Sequence, residues 1–156
     1  MTRGGGGGKG GAAAAIAESA TAGATDAQLP TVRIGLVGCG WFMQRAHIPV
    51  LVKLEQGSAV ARGFAVRVVA ICSRTEASLQ RAEKKLQQRA RPGPLRQYTD
   101  MERLFSDPEV DAVIIALPIP AMAAAVAGAL RAGKHVISEK PFAPSLAEAI
   151  RLWREE

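Results

Sequence analysis

The sequence predicts an α/β domain over residues 31–156, a doubly wound parallel sheet of strand order 3-2-1-4-5. Three observations point to it. From residue 31 onward, β-rich runs alternate with amphipathic helical segments, which calls for crossover connections and therefore parallel strands. The runs 68–72 and 110–116 are almost continuously apolar, as strands covered on both faces are. The first strand leads directly into a Gly-x-Gly turn that opens a helix.

The length of 156 residues suits about one domain. An apolar fraction of 48% can fill one core. Residues 1–30 are different: they hold eight of the sixteen glycines, nine alanines and no aromatic. Such a stretch cannot bury enough apolar surface to offset its conformational entropy, so it reads as a disordered tail. It has no continuous apolar region of the kind a secretory signal needs. Its two basic residues, Arg3 and Lys9, are offset by Glu18 and Asp26, a poor match to an organelle transit peptide. A cytoplasmic setting is the expectation, and the whole net charge of +6 falls on 31–156.

The elements follow in order. Residues 32–37 form a strand ending at Gly38. A helix is expected over 41–54, bent at Pro49, and a loop over 55–64. Residues 65–72 (AVRVVAIC) form the second strand. A helix over 76–90 places Leu79, Ala82, Leu86 and Ala90 on one stripe, and Pro92 and Pro94 stop it. Residues 95–98 form a short third strand. Thr99-Asp-Met-Glu102 has the spacing of a capping box for a helix to about Phe105. The stretch 112–130 is nineteen residues without a charge, close to a bilayer span in length. Eight of these are alanine, however, and Pro118 and Pro120 interrupt it, so a strand over 110–116 and a helix over 122–131 fit better. Gly133 ends that helix, 135–138 is the fifth strand, and Ser145-Leu-Ala-Glu148 caps a last helix whose apolar face is Leu146, Ile150 and Trp153.

The segment Gly35-Leu-Val-Gly38-Cys-Gly40-Trp41-Phe42-Met43 carries the chemistry. Gly38 allows a tight turn out of the strand, and Gly40 lets a diphosphate approach the backbone. The free N–H groups near Trp41 and Phe42 face that anion with the positive end of the helix dipole behind them. The third fingerprint position, usually Gly or Ala, is Met43, which would make the helix stand off from the strand. The alternative is a tight turn with no ligand. At the end of the second strand, where NAD-selective folds place a carboxylate, stand Ser73 and Arg74. Ser73 can hydrogen-bond a ribose hydroxyl, and Arg74 can pair with a 2′-phosphate, which favours NADP over NAD. Against this, residues 74–96 hold seven Lys or Arg and two Glu, so Arg74 could be one more solvated base.

These strings resemble the Gfo/Idh/MocA family of oxidoreductases, in GLVGCGWFMQRAHIPVL (35–51), DPEVDAVIIALP (107–118) and, most specifically, AGKHVISEKPFAPSLAEA (132–149). The resemblance implies an NAD(P)-binding Rossmann domain, normally followed by a larger α/β domain that binds a sugar or polyol and often mediates oligomerisation. It assigns Gly38, Gly40, Trp41 and Phe42 to the pyrophosphate loop and Ser73 and Arg74 to the adenosine ribose. Leu117 and Pro118 match the turn near the nicotinamide ribose. Glu139, Lys140 and Pro141 match the nicotinamide end, with Lys140 as the catalytic-site lysine. The family's acid/base pair from the second domain, an Asp and a His, has no counterpart in these residues. Nor has its frequent histidine after the fourth strand, where Ile119-Pro120-Ala121-Met122 stand.

What is expected, then, is the NADP(H)- or NAD(H)-binding domain of such an oxidoreductase, able to bind cofactor and not to turn over substrate alone. The alternative is a non-catalytic dinucleotide module acting through a partner chain. The fifth strand, left as a sheet edge, could pair with a second copy or with another chain. Nucleic-acid binding through 74–96 is disfavoured, since only Tyr98 lies nearby as an aromatic. His47 and His135 are expected to be structural. Cys39 and Cys72 end neighbouring strands, could be close in space, and are too few for a disulfide scaffold or a structural zinc site. No metal or membrane is expected.

Overall fold

The first strand of the chain is the middle of the sheet. In a computed structural model that describes residues 29–88 and 93–155, the strands are β1 (Thr31–Val37), β2 (Ala65–Cys72), β3 (Arg96–Tyr98), β4 (Ala112–Ile115) and β5 (His135–Ser138). They lie in the order β3-β2-β1-β4-β5, every pair parallel, as the alternation predicts. The register along β1 shifts between Ile34 and Gly35 against β2 and is continuous against β4. The expected tail lies outside the described residues for 1–28, as does the stretch 89–92 at the end of the helix expected over 76–90.

Helices cover both faces. Residues 41–42 are helical, Met43–His47 is a π-helical turn, and α1 (Ile48–Gln56) continues it. Pro49 stands just after the π-helical turn, in the first turn of α1. The loop expected over 55–64 contains a short helix, α2 (Ala59–Arg62). Then come α3 (Glu76–Leu86), α4 (Met101–Phe105), α5 (Ile119–Arg131) and α6 (Leu146–Glu155). One core lies between the sheet and α1 and α3, built on Leu36, Met43, Ile48, Val68, Leu79 and Leu86. The other lies beneath α4, α5 and α6, built on Phe105, Val113, Ile115, Met122, Val126 and Leu152. Met43, the residue expected to push the helix off the strand, is fully buried in the first core, and the π turn begins at it.

Three local expectations are corrected. Thr99 is not the cap of α4: Asp100 is, its carboxylate accepting from the Glu102 N–H at 3.0 Å. Pro120 does not delay the helix to residue 122, because α5 starts at Ile119 and takes Pro120 into its first turn. On α6 the stripe Leu146, Ile150 and Trp153 is not the buried face. Leu146 is 77% exposed and Trp153 74%, whereas Leu152 is 3% exposed, and Ala149 packs with it against the second core. The small Ala149 lets α6 approach the alanine-rich α5 closely, so the narrow stripe is the one that packs. Ser145 does cap α6, accepting from the Glu148 N–H at 3.3 Å. The uncharged stretch 112–130 is strand, turn and helix, and no helix among the described residues is long and apolar enough to cross a membrane.

Ion pairs lock the end of the sheet where the strands begin. The Arg33 guanidinium donates to both Asp111 carboxylate oxygens, at 2.9 and 2.6 Å, while its backbone N–H donates to the same side chain at 2.8 Å. The buried Asp107 accepts from Arg96 Nε at 2.6 Å, from the Tyr98 hydroxyl at 3.0 Å and from the Glu109 N–H at 2.9 Å. Burial alone would push the Asp107 carboxyl up, but these donors outweigh it and hold it below the ordinary range. The Arg33 hydrogen bonds hold Asp111 below it too, against a smaller effect of burial.

Both carboxyls therefore bind protons less readily when folded than when unfolded. Their stabilisation is complete above the unfolded pKa of about 3.9 and is lost as pH falls through the lower folded values. Asp107→Asn is expected to cost about 2 kcal/mol at neutral pH. It should also flatten the loss of melting temperature below about pH 4, as read by circular dichroism melts across that range.

Candidate functional site

A parallel sheet puts the carboxyl ends of all its strands on one edge, and the connection after β1 runs to β2 on one side whereas the connection after β3 runs back to β4 on the other. The crevice at such a switch point is where doubly wound folds bind ligands. Here it is a cleft of about 890 Å³. Its floor is Val37, Gly38, Cys72 and Ala116. One wall is Ser73, Arg74, Thr75 and Ser78, with Thr99, Asp100 and Met101 behind. The other wall is Leu117, Pro118, Pro120 and Ala121, and Gly40 completes the lining.

Gly38 is the pivot of this geometry. Its φ is +87°, and its N–H donates to the Cys72 carbonyl at 2.9 Å. A Cβ there would sit 2.3 Å from the Ala116 carbonyl oxygen and 2.8 Å from Leu117 Cδ2. Gly40 is under no such constraint. A Cβ there would meet nothing within 4 Å, and its φ is not positive. It precedes the helical turn that starts at Trp41, whose first N–H groups have no intrahelical acceptor. The Gln44 amide donates to the Cys39 carbonyl at 2.8 Å, fixing the turn from inside.

The cleft brings together Gly38, Gly40, Ser73, Arg74, Leu117 and Pro118 of the expected site residues. The Ser73 N–H is held by the Tyr98 carbonyl at 3.1 Å. Arg74 is exposed and has no hydrogen-bond or ion-pair partner among the described residues. Leu117 packs under Gly38, and Pro118 caps α5. Trp41 and Phe42 are on the outer surface of the first helical turn. The Arg45 guanidinium lies 5.6 Å from the centre of the Trp41 ring, and Phe42 packs edge-on against His47 with ring centres 5.6 Å apart.

Glu139, Lys140 and Pro141 do not line the cleft. They follow β5 on the same sheet edge, with the Glu139 N–H donating to the Ile115 carbonyl at 2.9 Å. Lys140 and Pro141 are exposed and joined by a cis peptide.

The spacing of the sequence did not reveal His47 as a partner of Glu139. His47 Nε2 lies 2.7 Å from Glu139 Oε1, so His47 has a carboxylate contact rather than a purely packed role. Thr75, Ser78, Thr99, Asp100 and Met101 were also missed as cleft residues. The predicted strand order could have found them, since they follow the ends of the second and third strands. Cys39 and Cys72 are adjacent and free. Burial pushes the Cys39 thiol up to about 12 and the Cys72 thiol to about 11, so neither is a nucleophile near neutral pH. Among the described residues no three His, Cys, Asp or Glu side chains are grouped to hold a metal ion.

Known proteins share this arrangement. The dTDP-3,4-didehydro-2,6-dideoxy-alpha-D-glucose 3-reductase of Saccharopolyspora spinosa is 31% identical over 121 residues, which is 78% of this chain and 32% of that one. The crystal structure of a 3-ketoreductase from Actinomadura kijaniata in complex with NADP superposes with a TM-score of 0.63 and 30% identity, over 81% of this chain and 35% of that one. Apo scyllo-inositol dehydrogenase from Lactobacillus casei does so with a TM-score of 0.65 and 26% identity, over 81% and 33%. The chain thus spans about a third of the length of these relatives. A model of an oxidoreductase family with an NAD-binding Rossmann fold matches residues 32–156. With the glycine turn, the strand order and this match in agreement, the chain belongs to the Gfo/Idh/MocA family of oxidoreductases.

Proposed function

We propose that the cleft binds NADP(H) as the cofactor part of an oxidoreductase acting on a sugar or polyol-like alcohol or ketone. The observation that carries this reading is Gly40. Neither backbone conformation nor any neighbouring atom requires a glycine there, unlike Gly38, where the chain's own backbone does. A diphosphate drawn against the free N–H groups of the turn supplies the missing reason. Ser73 and Arg74 would take the adenosine ribose and its 2′-phosphate, Arg74 being free to do so. Leu117 and Pro118 would flank the nicotinamide ribose, and Glu139, Lys140 and Pro141 the nicotinamide.

The bound nicotinamide would supply or accept the hydride. Lys140, exposed on the same sheet edge, is the candidate catalytic residue, its ammonium holding the substrate oxygen as charge develops on it. The sugar-modifying reductase of S. spinosa and the NADP complex of the A. kijaniata 3-ketoreductase support this choice of substrate class and cofactor. The comparisons lend no support to a non-catalytic module acting through a partner chain. The edge of β5, which among the described residues pairs with β4 alone, and the exposed Ile137 upon it fit contact with further polypeptide. Two buried free thiols fit a reducing, cytoplasmic setting.

Titration with NADPH and NADH, followed by tryptophan fluorescence, tests the reading, and absence of binding by either overturns it. Gly40→Ala is expected to melt at or slightly above the wild-type temperature yet lose NADPH affinity by about ten-fold or more. Gly38→Ala is expected to lose about 3 kcal/mol or more of stability. If Gly40→Ala binds as wild type does, the diphosphate does not lie there.

Arg74→Ala should weaken NADPH binding by about 1.5–3 kcal/mol and leave NADH nearly unchanged. Equal losses would remove Arg74 from the 2′-phosphate. Residues 1–156 alone are expected to bind cofactor without turnover, because the substrate's acid/base partners have no counterpart in them. A steady fall in NADPH absorbance with a keto-sugar would contradict this.

A further inference from the structure

We propose that His47 is a positioning residue, which holds the Glu139-Lys140-Pro141 turn at a fixed place relative to the glycine turn. The inference rests on reading those two turns as the nicotinamide and pyrophosphate ends of one dinucleotide site. His47 and Glu139 are 92 residues apart in sequence, and their side chains meet at 2.7 Å. A carboxylate only accepts, so the Nε2 of His47 carries the proton and donates it to Glu139 Oε1. Both side chains are largely shielded from water, with 22% and 27% of their surface exposed.

Each partner is held from behind. His47 ends the π-helical turn that starts three residues after Gly40, and the edge-on Phe42 ring packs against its imidazole at an interplanar angle of 67°. A π turn contains more residues than an α turn, so it rotates the residues beyond it about the helix axis. Glu139 is tied to β4 through its own N–H and the Ile115 carbonyl. No other hydrogen bond or ion pair among the described residues joins 139–141 to the helix that begins at the glycine turn. The pair therefore sets the span between the two ends of the site, and with it the place from which Lys140 reaches.

A side chain with that role matters to a ligand that bridges both ends and not to one that occupies only the adenosine end. The test compares NADPH with adenosine 2′,5′-bisphosphate, which carries the adenosine, the 2′-phosphate and no nicotinamide. The variant is His47→Phe, which keeps the ring against Phe42 and removes the N–H. The ratio of the two dissociation constants is measured on the same sample, so the folded fraction cancels. His47→Phe is expected to weaken NADPH about ten-fold and the bisphosphate less than about two-fold. His47→Gln, whose amide can still donate to Glu139, is expected to recover most of the NADPH affinity.

An unchanged ratio in His47→Phe, whether both ligands bind as before or both weaken alike, overturns the proposal while the dinucleotide reading stands. Failure of the wild-type protein to bind either ligand overturns the dinucleotide reading, and the proposal with it.

Discussion

The closest constraint in the molecule is the contact of two backbones. Gly38 leaves β1 so near to Ala116 at the end of β4 that a single added carbon would sit 2.3 Å from a carbonyl oxygen. That approach joins the two halves of the sheet at the point where their connections diverge. It turns the chain sharply out of the central strand, so the helix that begins at Trp41 starts beside the crevice, three residues after Gly38 and one after Gly40, which lines it. Leu117, packed below Gly38, and the Cys72 carbonyl, bonded to its N–H, complete the corner. The close approach at this corner of the cleft depends on one residue without a side chain.

The two ends of the sheet have divided tasks. Where the strands start, charged side chains are consumed by one another: Arg33 with Asp111 and Glu109, and Arg96 with Asp107, which also accepts from the hydroxyl of Tyr98 at the other end of β3. The Lys134 ammonium joins them by donating to the carbonyls of Asp107 and Val110 at 2.8 and 2.7 Å. Where the strands finish, Arg74 is left free among the described residues and the cleft wall offers Thr75, Ser78 and Thr99. Paired charges tie the amino ends of the strands together, whereas at the carboxyl ends Arg74 has no such pairing among the described residues.

The fold was legible because its signals are local. A parallel sheet follows from alternation, the order 3-2-1-4-5 from the doubly wound arrangement that the alternation matches, and the glycine turn from its place after the first strand. Errors arose where a residue has two physical uses. Proline breaks a helix interior but opens a helix, and Pro120 does the second. A stripe of large apolar residues and a stripe containing alanine both satisfy helical periodicity on α6. Only the neighbouring α5 decides that Ala149 and Leu152 go inside. The pair His47–Glu139 was not legible at all: its members lie on different elements, and no periodicity links residues 92 positions apart. Gly38, Gly40, Ser73, Arg74, Leu117 and Pro118 of the cleft could be read from motifs and strand ends, and Thr75, Ser78, Thr99, Asp100 and Met101 could have been read from strand order.

Placing the first strand at the centre of the sheet has a consequence for the growing chain on the ribosome. β1 gains its neighbour on one side once residues 65–72 emerge, but its other neighbour is not made until residues 112–115. Until then a half-built sheet carries an open edge at its central strand, whose second half is buried in the finished fold, an arrangement prone to pairing with a stranger. The nascent polypeptide is therefore most in need of a chaperone's cover during the synthesis of the segment between β2 and β4.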